Sequence, residues 1–175
     1  ANADAIFDDG PSWVGGNPEG DVTMVEFMDY RCGYCRRAAA EVESLLDADG
    51  DIRFVLKEFP ILGDDSLRAS RFAIATKQVA GDAAYKSVHD ALMNYDGTMN
   101  EAGFIRLADG LGLDANAIVA EMDSDSVSDV IAANHALARE LQINGTPSFV
   151  VGEQMLRGFV PQDAMQQVVD EIRAN

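Results

Sequence analysis

Val25-Glu26-Phe27-Met28-Asp29-Tyr30-Arg31-Cys32-Gly33-Tyr34-Cys35 is the stretch on which the fold turns. Its first half closes an apolar, β-prone run, residues 21–28 (Asp-Val-Thr-Met-Val-Glu-Phe-Met). A continuous run of this length suits a strand buried on both faces, as in a parallel sheet. Its second half opens a helical pattern. Cys35, Ala38, Ala39, Val42, Leu45 and Leu46 recur at three- and four-residue spacing, while Arg36, Arg37, Glu41, Glu43 and Ser44 fall on the other side. Asp49-Gly50 stops that helix, and residues 52–59 read as a second strand halted by Pro60. The unit is β-α-β, whose crossover is right-handed when the strands are parallel.

Working outward, residues 1–20 are rich in Gly and Pro and read as an irregular lead-in with a short edge strand. From about residue 64 to 143 the pattern is wholly helical. Tyr85, Val88, Leu92 and Tyr95 mark one apolar stripe; Phe104, Leu107, Ala108 and Leu111 a second; Val127, Val130, Ile131, Leu137 and Leu141 a third. Asn144-Gly145 ends the block. Residues 148–151 then form a strand, residues 152–154 a turn, and Met155-Leu156-Arg157 a hairpin partner. Pro161 opens a last helix with Ala164, Met165, Val168, Val169 and Ile172 inward. The expected fold is α/β: a thioredoxin-like core, residues 1–62 and 144–175, carrying an inserted all-helical domain, residues 63–143.

Composition narrows the function. The chain has 175 residues, with 13 basic against 30 acidic, a net charge of −17. Such a surface repels phosphate backbones and anionic membranes, so no nucleic acid is expected as a partner. There are two cysteines, too few for a disulfide scaffold or a closed zinc site, and His89 and His135 lie far from them. No metal site is expected. The chain begins at Ala1 without a basic or apolar leader pattern. A removed signal peptide and an exported, periplasmic location are the expectation.

A C-x-x-C at the start of a helix has a physical logic. Cys32 falls near the N-cap, before unpaired N–H groups and the positive end of the helix dipole, which stabilise a thiolate. Cys35 lies one turn along on the apolar side. Cys32 is therefore the expected nucleophile and Cys35 the resolving thiol. As a staple the pair is poor, since closing four residues constrains the unfolded chain by only roughly 2 kcal/mol. Were the Cys32 pKa about 5, the reduced form at pH 7 would gain roughly 2.7 kcal/mol, raising the reduction potential by about 60 mV. Cu(I) capture by the same two sulfurs is the alternative use.

Two strings together carry a family resemblance: the segment from Val25 to Cys35, and Gly145-Thr146-Pro147-Ser148-Phe149-Val150. With the helical block between them, the chain resembles the DsbA-like thiol–disulfide oxidoreductases over nearly its whole length. It is most similar to the ScsC-type copper-sensitivity suppressors and outer-membrane-associated proteins with comparable centres. Where the best-known member carries Pro-His between its cysteines, this chain has Gly33 and Tyr34, which removes an imidazolium partner for Cys32.

The resemblance implies a cis bond before Pro147, apposed to the cysteines, with the Thr146 backbone pairing an extended substrate beside Cys32. Gly33 and Tyr34 complete the expected substrate-binding set. Glu26, six residues before Cys32 in an apolar strand, is the candidate proton shuttle for Cys35. Its alternative role is an ion pair with a base such as Lys57, otherwise read as an edge or snorkelling residue. Tyr30 and Tyr34 are expected in an apolar rim, Phe59 and Phe149 in the core. The methionines read as gap-fillers, His89 and His135 as helix-surface residues, and Arg36 and Arg37 as solvating the helix.

The resemblance further implies no cofactor beyond the Cys32–Cys35 disulfide. The implied partners are cysteine-containing or unfolded client proteins and a membrane redox protein that recharges the active state. A monomeric oxidase is the first expectation, since no oligomerisation segment is visible; a reductase or isomerase of the ScsC type is the alternative.

Overall fold

The structure, a computed structural model, describes residues 2–175. Its contacts group the chain into two compact units. One comprises the stretch ending at Met28, together with Cys32–Lys57 and Ala136–Asn175; the other comprises Asp29–Arg31 and Glu58–His135.

The first unit is built on a five-stranded sheet. In chain order come helix α1 (Ala3–Phe7), strands β1 (Trp13–Gly16) and β2 (Val22–Met28), helix α2 (Gly33–Asp49) and strand β3 (Ile52–Glu58). After the helical block come β4 (Ser148–Val151), β5 (Gln154–Arg157) and α8 (Gln162–Ala174). The sheet order is β1-β3-β2-β4-β5. β1 runs antiparallel to β3, β4 antiparallel to β2 with Glu26 opposite Phe149, and β5 antiparallel to β4. β2, the strand expected to be buried on both faces, and its expected partner β3 sit inside the sheet, and every residue of each but the second is buried. The lead-in is more ordered than its composition suggested. Asn2 caps the short α1 through its side chain, and β1 supplies the edge strand.

Sequence placed the elements of this unit closely, because each terminus carries its own chemistry. Cys32 is the N-cap of α2, and Gly50 ends it in the left-handed region at φ 72°, its N–H donating to the Leu46 carbonyl at 3.1 Å. α8 is tied to α2 by the Gln162 N–H donating to Glu41 at 3.0 Å. Further along, Arg173 donates to both Asp49 and Asp21. Those bonds hold the Asp49 carboxyl well below the usual range.

The second unit is helical: α3 (Asp64–Ala80), α4 (Asp82–Met93), α5 (Glu101–Gly110), α6 (Ala115–Glu121) and most of α7 (Asp125–Glu140). The expected stripes face inward in large part: Tyr85, Val88, Leu92, Phe104, Ala108, Val127 and Ile131 are buried, while Leu111 is exposed. The stripe that sequence did not single out is that of α3, where Phe72 stacks on Phe104 at 4.6 Å between centroids among Ala69, Ala73 and Ala75. No helix of the described residues is long and apolar enough to cross a membrane.

Gly50→Ala isolates the backbone cost of the α2 stop, since a Cβ there meets no atom within 4 Å. The expected loss is about 1 kcal/mol, read as a lower urea midpoint at unchanged slope. A loss above about 3 kcal/mol would mean that the added methyl disrupts packing instead.

Candidate active site

The geometry starts from the junction of β2 and α2. β2 is buried and extended, so the chain leaves the sheet at Met28 and must find partners for the next helix's N–H groups. Cys32 supplies one. Its backbone is extended (φ −80°, ψ 116°), and its Sγ accepts the Cys35 N–H at 3.2 Å. In the protonated state the Cys32 thiol also donates to the Thr146 carbonyl at 3.3 Å. Neither cysteine is in a disulfide, and Cys32 keeps 7% of its surface against none for Cys35. Cys32 is buried, yet it is the only one of the two with any exposed surface.

Hydrogen bonding from the Cys35 thiol, with help from Thr146 and the N–H groups of Tyr34 and Cys35, pulls the Cys32 pKa down to about 6 against the opposing effect of burial. At pH 7 that stabilises the reduced form by about 1.4 kcal/mol and raises the potential by about 30 mV. This is half the shift that a pKa of about 5 would bring.

The Thr146–Pro147 peptide bond is cis. The Pro147 carbonyl accepts the Gly158 N–H at 2.8 Å, and the Ser148 hydroxyl donates to the Gly145 carbonyl at 2.8 Å, so the loop is held from both sides. Gly33 and Tyr34 lie in the first turn of α2. Tyr34 is 60% exposed, and the space beside Gly33 is open. Cys32, Thr146 and Pro147 are thus brought together, with Gly33 and Tyr34 on the adjoining turn.

Glu26 is 3% exposed on β2. Its suggested partner Lys57 is neither an edge nor a snorkelling residue: it is fully buried, and its ammonium lies 2.5 Å from Asp9 and 3.3 Å from the Ser12 hydroxyl. Lys57 therefore pairs with Asp9. Burial pulls the Lys57 pKa down, with Asp9 opposing. Burial also raises Asp9, but bonds from Lys57 and Ser12 outweigh it and hold the carboxyl below its ordinary value. Sequence could not foresee this pairing, because Asp9 lies 48 residues from Lys57.

The second unit holds its own polar cluster, which corrects two readings. Tyr30 is no rim residue. It is fully buried, its hydroxyl 3.0 Å from Glu58 Oε2 and 2.9 Å from His89 Nδ1. His89 is likewise buried rather than on the surface, and desolvation, with Lys86 nearby, pushes its pKa down to about 3. Glu58 further accepts from Ser70 at 2.8 Å and from Tyr85. Desolvation, aided by the Asp29 charge, raises its pKa to about 7 against the hydroxyls that stabilise the anion.

Asp29 accepts from the N–H groups of Arg31, Ile61 and Leu62 and from the Ser66 hydroxyl, all within 3.1 Å. His135 is half-buried, its ring 4.9 Å from that of the buried Phe59. Asp29, Glu58 and their hydroxyl donors were missed by sequence; the one usable signal was carboxylates bordering apolar strands. Also missed was the placement of Arg37, whose guanidinium lies across the rings of Tyr34 and Phe159 at 5.6 and 4.7 Å.

A family profile described as DSBA-like thioredoxin domain matches residues 23–170. The chain belongs to the DsbA-like thioredoxin-domain family. Among solved structures, it is 47% identical to a thioredoxin-like oxidoreductase from Silicibacter pomeroyi, with a TM-score of 0.93 over 100% of this chain and 99% of that one. It is 26% identical to the thiol-disulfide exchange protein α-DsbA2 of Wolbachia pipientis (TM-score 0.88, covering 97% of this chain and 90% of that one). It is 27% identical to the catalytic domain of Proteus mirabilis ScsC (TM-score 0.85, covering 98% and 94%). Among curated proteins it is 29% identical over 156 residues to a Na(+)/H(+) antiporter NhaA of Salinispora tropica, covering 89% of this chain and 24% of that protein. The chain spans about a quarter of the length of the curated relatives it matches.

Two measurements check the electrostatics. With the Cys32 pKa near 6, the reduction potential should fall by about 59 mV per pH unit below pH 6 and by about 30 mV above it, as one of two protons is shed. A break above pH 8 would contradict the stabilised thiolate.

The second concerns Glu58. Its folded pKa of about 7 exceeds the unfolded value of 4.5, so the folded state binds more protons between them, and stability falls as pH rises through that window. The loss amounts to about 3 kcal/mol by pH 7. Glu58→Gln should remove this component, so that wild type minus variant stability declines from pH 4.5 to 7 in urea titrations. A flat difference would contradict a proton held on Glu58.

Proposed function

We propose that this chain exchanges disulfides with the cysteines of client proteins in an exported, periplasmic compartment, acting first as an oxidase. Cys32 is the nucleophile and Cys35 the resolving thiol. In the oxidising direction, a client thiolate attacks Cys32 Sγ and breaks the Cys32–Cys35 bond, and Cys35 leaves as thiolate and takes up a proton. A second client thiolate then attacks the client sulfur of the mixed disulfide. The client leaves oxidised, and the Cys32–Cys35 pair leaves reduced. Glu26, in the strand before the motif, moves the Cys35 proton.

Thr146 and Pro147, with Gly33 and Tyr34, hold the client beside Cys32, the Thr146 backbone pairing with an extended segment. A membrane redox protein reoxidises the pair. The chain works as a monomer, residues 63–143 being a helical insertion in the thioredoxin-like core.

The observation that carries this reading is Cys32 itself: an acidified sulfur, the less buried of the pair, at a helix N-terminus and 3.3 Å from the Thr146 carbonyl. A potential raised by only about 30 mV supports a mild oxidant, for which a reductase or isomerase direction is the nearest competitor.

Cys32→Ser is expected to abolish insulin reduction and the oxidation of reduced client peptides. Cys35→Ser is expected to accumulate mixed disulfides, visible on non-reducing gels and released by dithiothreitol. Full exchange activity in Cys32→Ser would overturn the nucleophile assignment. Tight Cu(I) binding with no mixed disulfide in Cys35→Ser would favour metal capture by the same sulfurs.

A further inference from the structure

The surface beside Cys32 contains one cation whose placement the exchange reaction does not explain. Arg37 lies one turn beyond Tyr34 on the exposed side of α2, an i, i+3 pair. Its guanidinium carbon is 4.7 Å from the ring centre of Phe159 and 5.6 Å from that of Tyr34. Phe159 follows Gly158, whose N–H is bonded to the Pro147 carbonyl. The aromatic–cation–aromatic array therefore joins the cysteine-bearing turn to the loop that carries Pro147, all within the first unit.

What the guanidinium does not do is equally informative. The chain has 30 acidic residues and 13 basic ones. Several of those cations are already paired: Arg53 with Asp8, Lys57 with Asp9, Lys86 with Asp90, Arg173 with Asp21 and Asp49. Among the described residues Arg37 has neither a hydrogen bond nor an ion pair, only the two rings. The two rings take none of its hydrogen-bonding capacity, so the five N–H donors of the guanidinium have no protein acceptor. An exposed guanidinium with unspent donors, held beside two rings, matches a carboxylate.

We propose that Arg37, laid across Phe159 and Tyr34, is a specificity-determining residue that takes an Asp or Glu carboxylate of the client segment flanking the attacked cysteine. This rests on the protein-client reading above and names the class of client that the site prefers. The net charge of −17 does not oppose it at contact range. Beyond about 8 Å at physiological salt the chain's remaining charges are largely screened, whereas the guanidinium acts within a few ångströms. Tyr34 and Phe159 hold the guanidinium at little entropic cost, each ring having two side-chain torsions.

The test uses two synthetic two-cysteine peptides, identical except that Asp flanks the cysteines in one and Asn in the other. Their oxidation by the oxidised protein is followed by stopped-flow fluorescence. The wild-type rate ratio, Asp over Asn, is expected at roughly two- to fivefold, the range that an exposed ion pair supplies. Arg37→Gln is expected to bring the ratio to about one, and Arg37→Glu to invert it. High salt should compress the wild-type ratio. The pH profile of Cys32 alkylation, measured alongside, should be the same in Arg37→Gln, separating client recognition from a change in the thiol.

A wild-type ratio near one would overturn the proposal, as would an unchanged ratio in Arg37→Gln. Loss of both rates with a shifted alkylation profile would also overturn it, assigning Arg37 to the thiol instead of the client. Absence of exchange with either peptide, while Cys32 remains alkylatable, would sink the underlying client reading and this inference with it.

Discussion

The Cys32 sulfur accepts a hydrogen bond from a backbone N–H that no carbonyl can serve, and the rest of the site follows from that. Every α-helix begins with orphan donors, and most helices satisfy them with a hydroxyl or a carboxylate. Here the capping atom is a thiol sulfur, 3.2 Å from the Cys35 N–H. A cap made of sulfur is most stable as a thiolate, so the need to terminate a helix yields an acidified thiol. The second cysteine, one turn on, is buried by the amphipathic pattern that packs the helix and adds its own hydrogen bond to the first. Cap and redox pair are one device, requiring a strand that ends, a helix that starts and an i, i+3 spacing.

Charges buried elsewhere in the chain are managed by two different means. Lys57 and Glu58 are neighbours on β3, where successive side chains point to opposite faces. Lys57 keeps its charge beside Asp9, a carboxylate brought in by the N-terminal segment. Glu58 has no cation among its bonded partners and instead receives hydroxyls from Tyr30, Ser70 and Tyr85. Hydroxyls stabilise a carboxylate less than an ammonium does, so Asp9 stays acidic while the Glu58 pKa climbs to about 7. The asymmetry leaves a buried group near neutrality in the helical unit, while the sheet unit has its buried base neutralised by an ion pair.

Much of the architecture was legible in local pattern. The buried runs of β2 and β3, the periodicity of α2, its stop at Gly50 and the hairpin after Pro147 each rest on residues close in sequence. So does the placement of Cys32 at the N-cap. The harder elements were those whose partners come from afar. The lead-in was read as irregular, yet its Asp9 neutralises Lys57. His89 was read as a surface residue because a histidine on an amphipathic helix carries no local mark of burial; Tyr30, 59 residues away, is what holds it inside. Arg37 was read as solvating, since nothing near it in sequence announces Phe159.

The amino-acid sequence alone therefore determined the order of elements, the cysteine pair at a helix start and the acidic surface, because helix caps, periodicity and charge count depend on neighbours within a few residues. Tertiary structure decided how acidic the sulfur is, which charges are buried with which partners, and which cation borders the reactive turn. Those outcomes depend on desolvation and on atoms brought within about 3–5 Å from distant segments, as when the Thr146 carbonyl, 114 residues on, meets Cys32. No local rule encodes such distances.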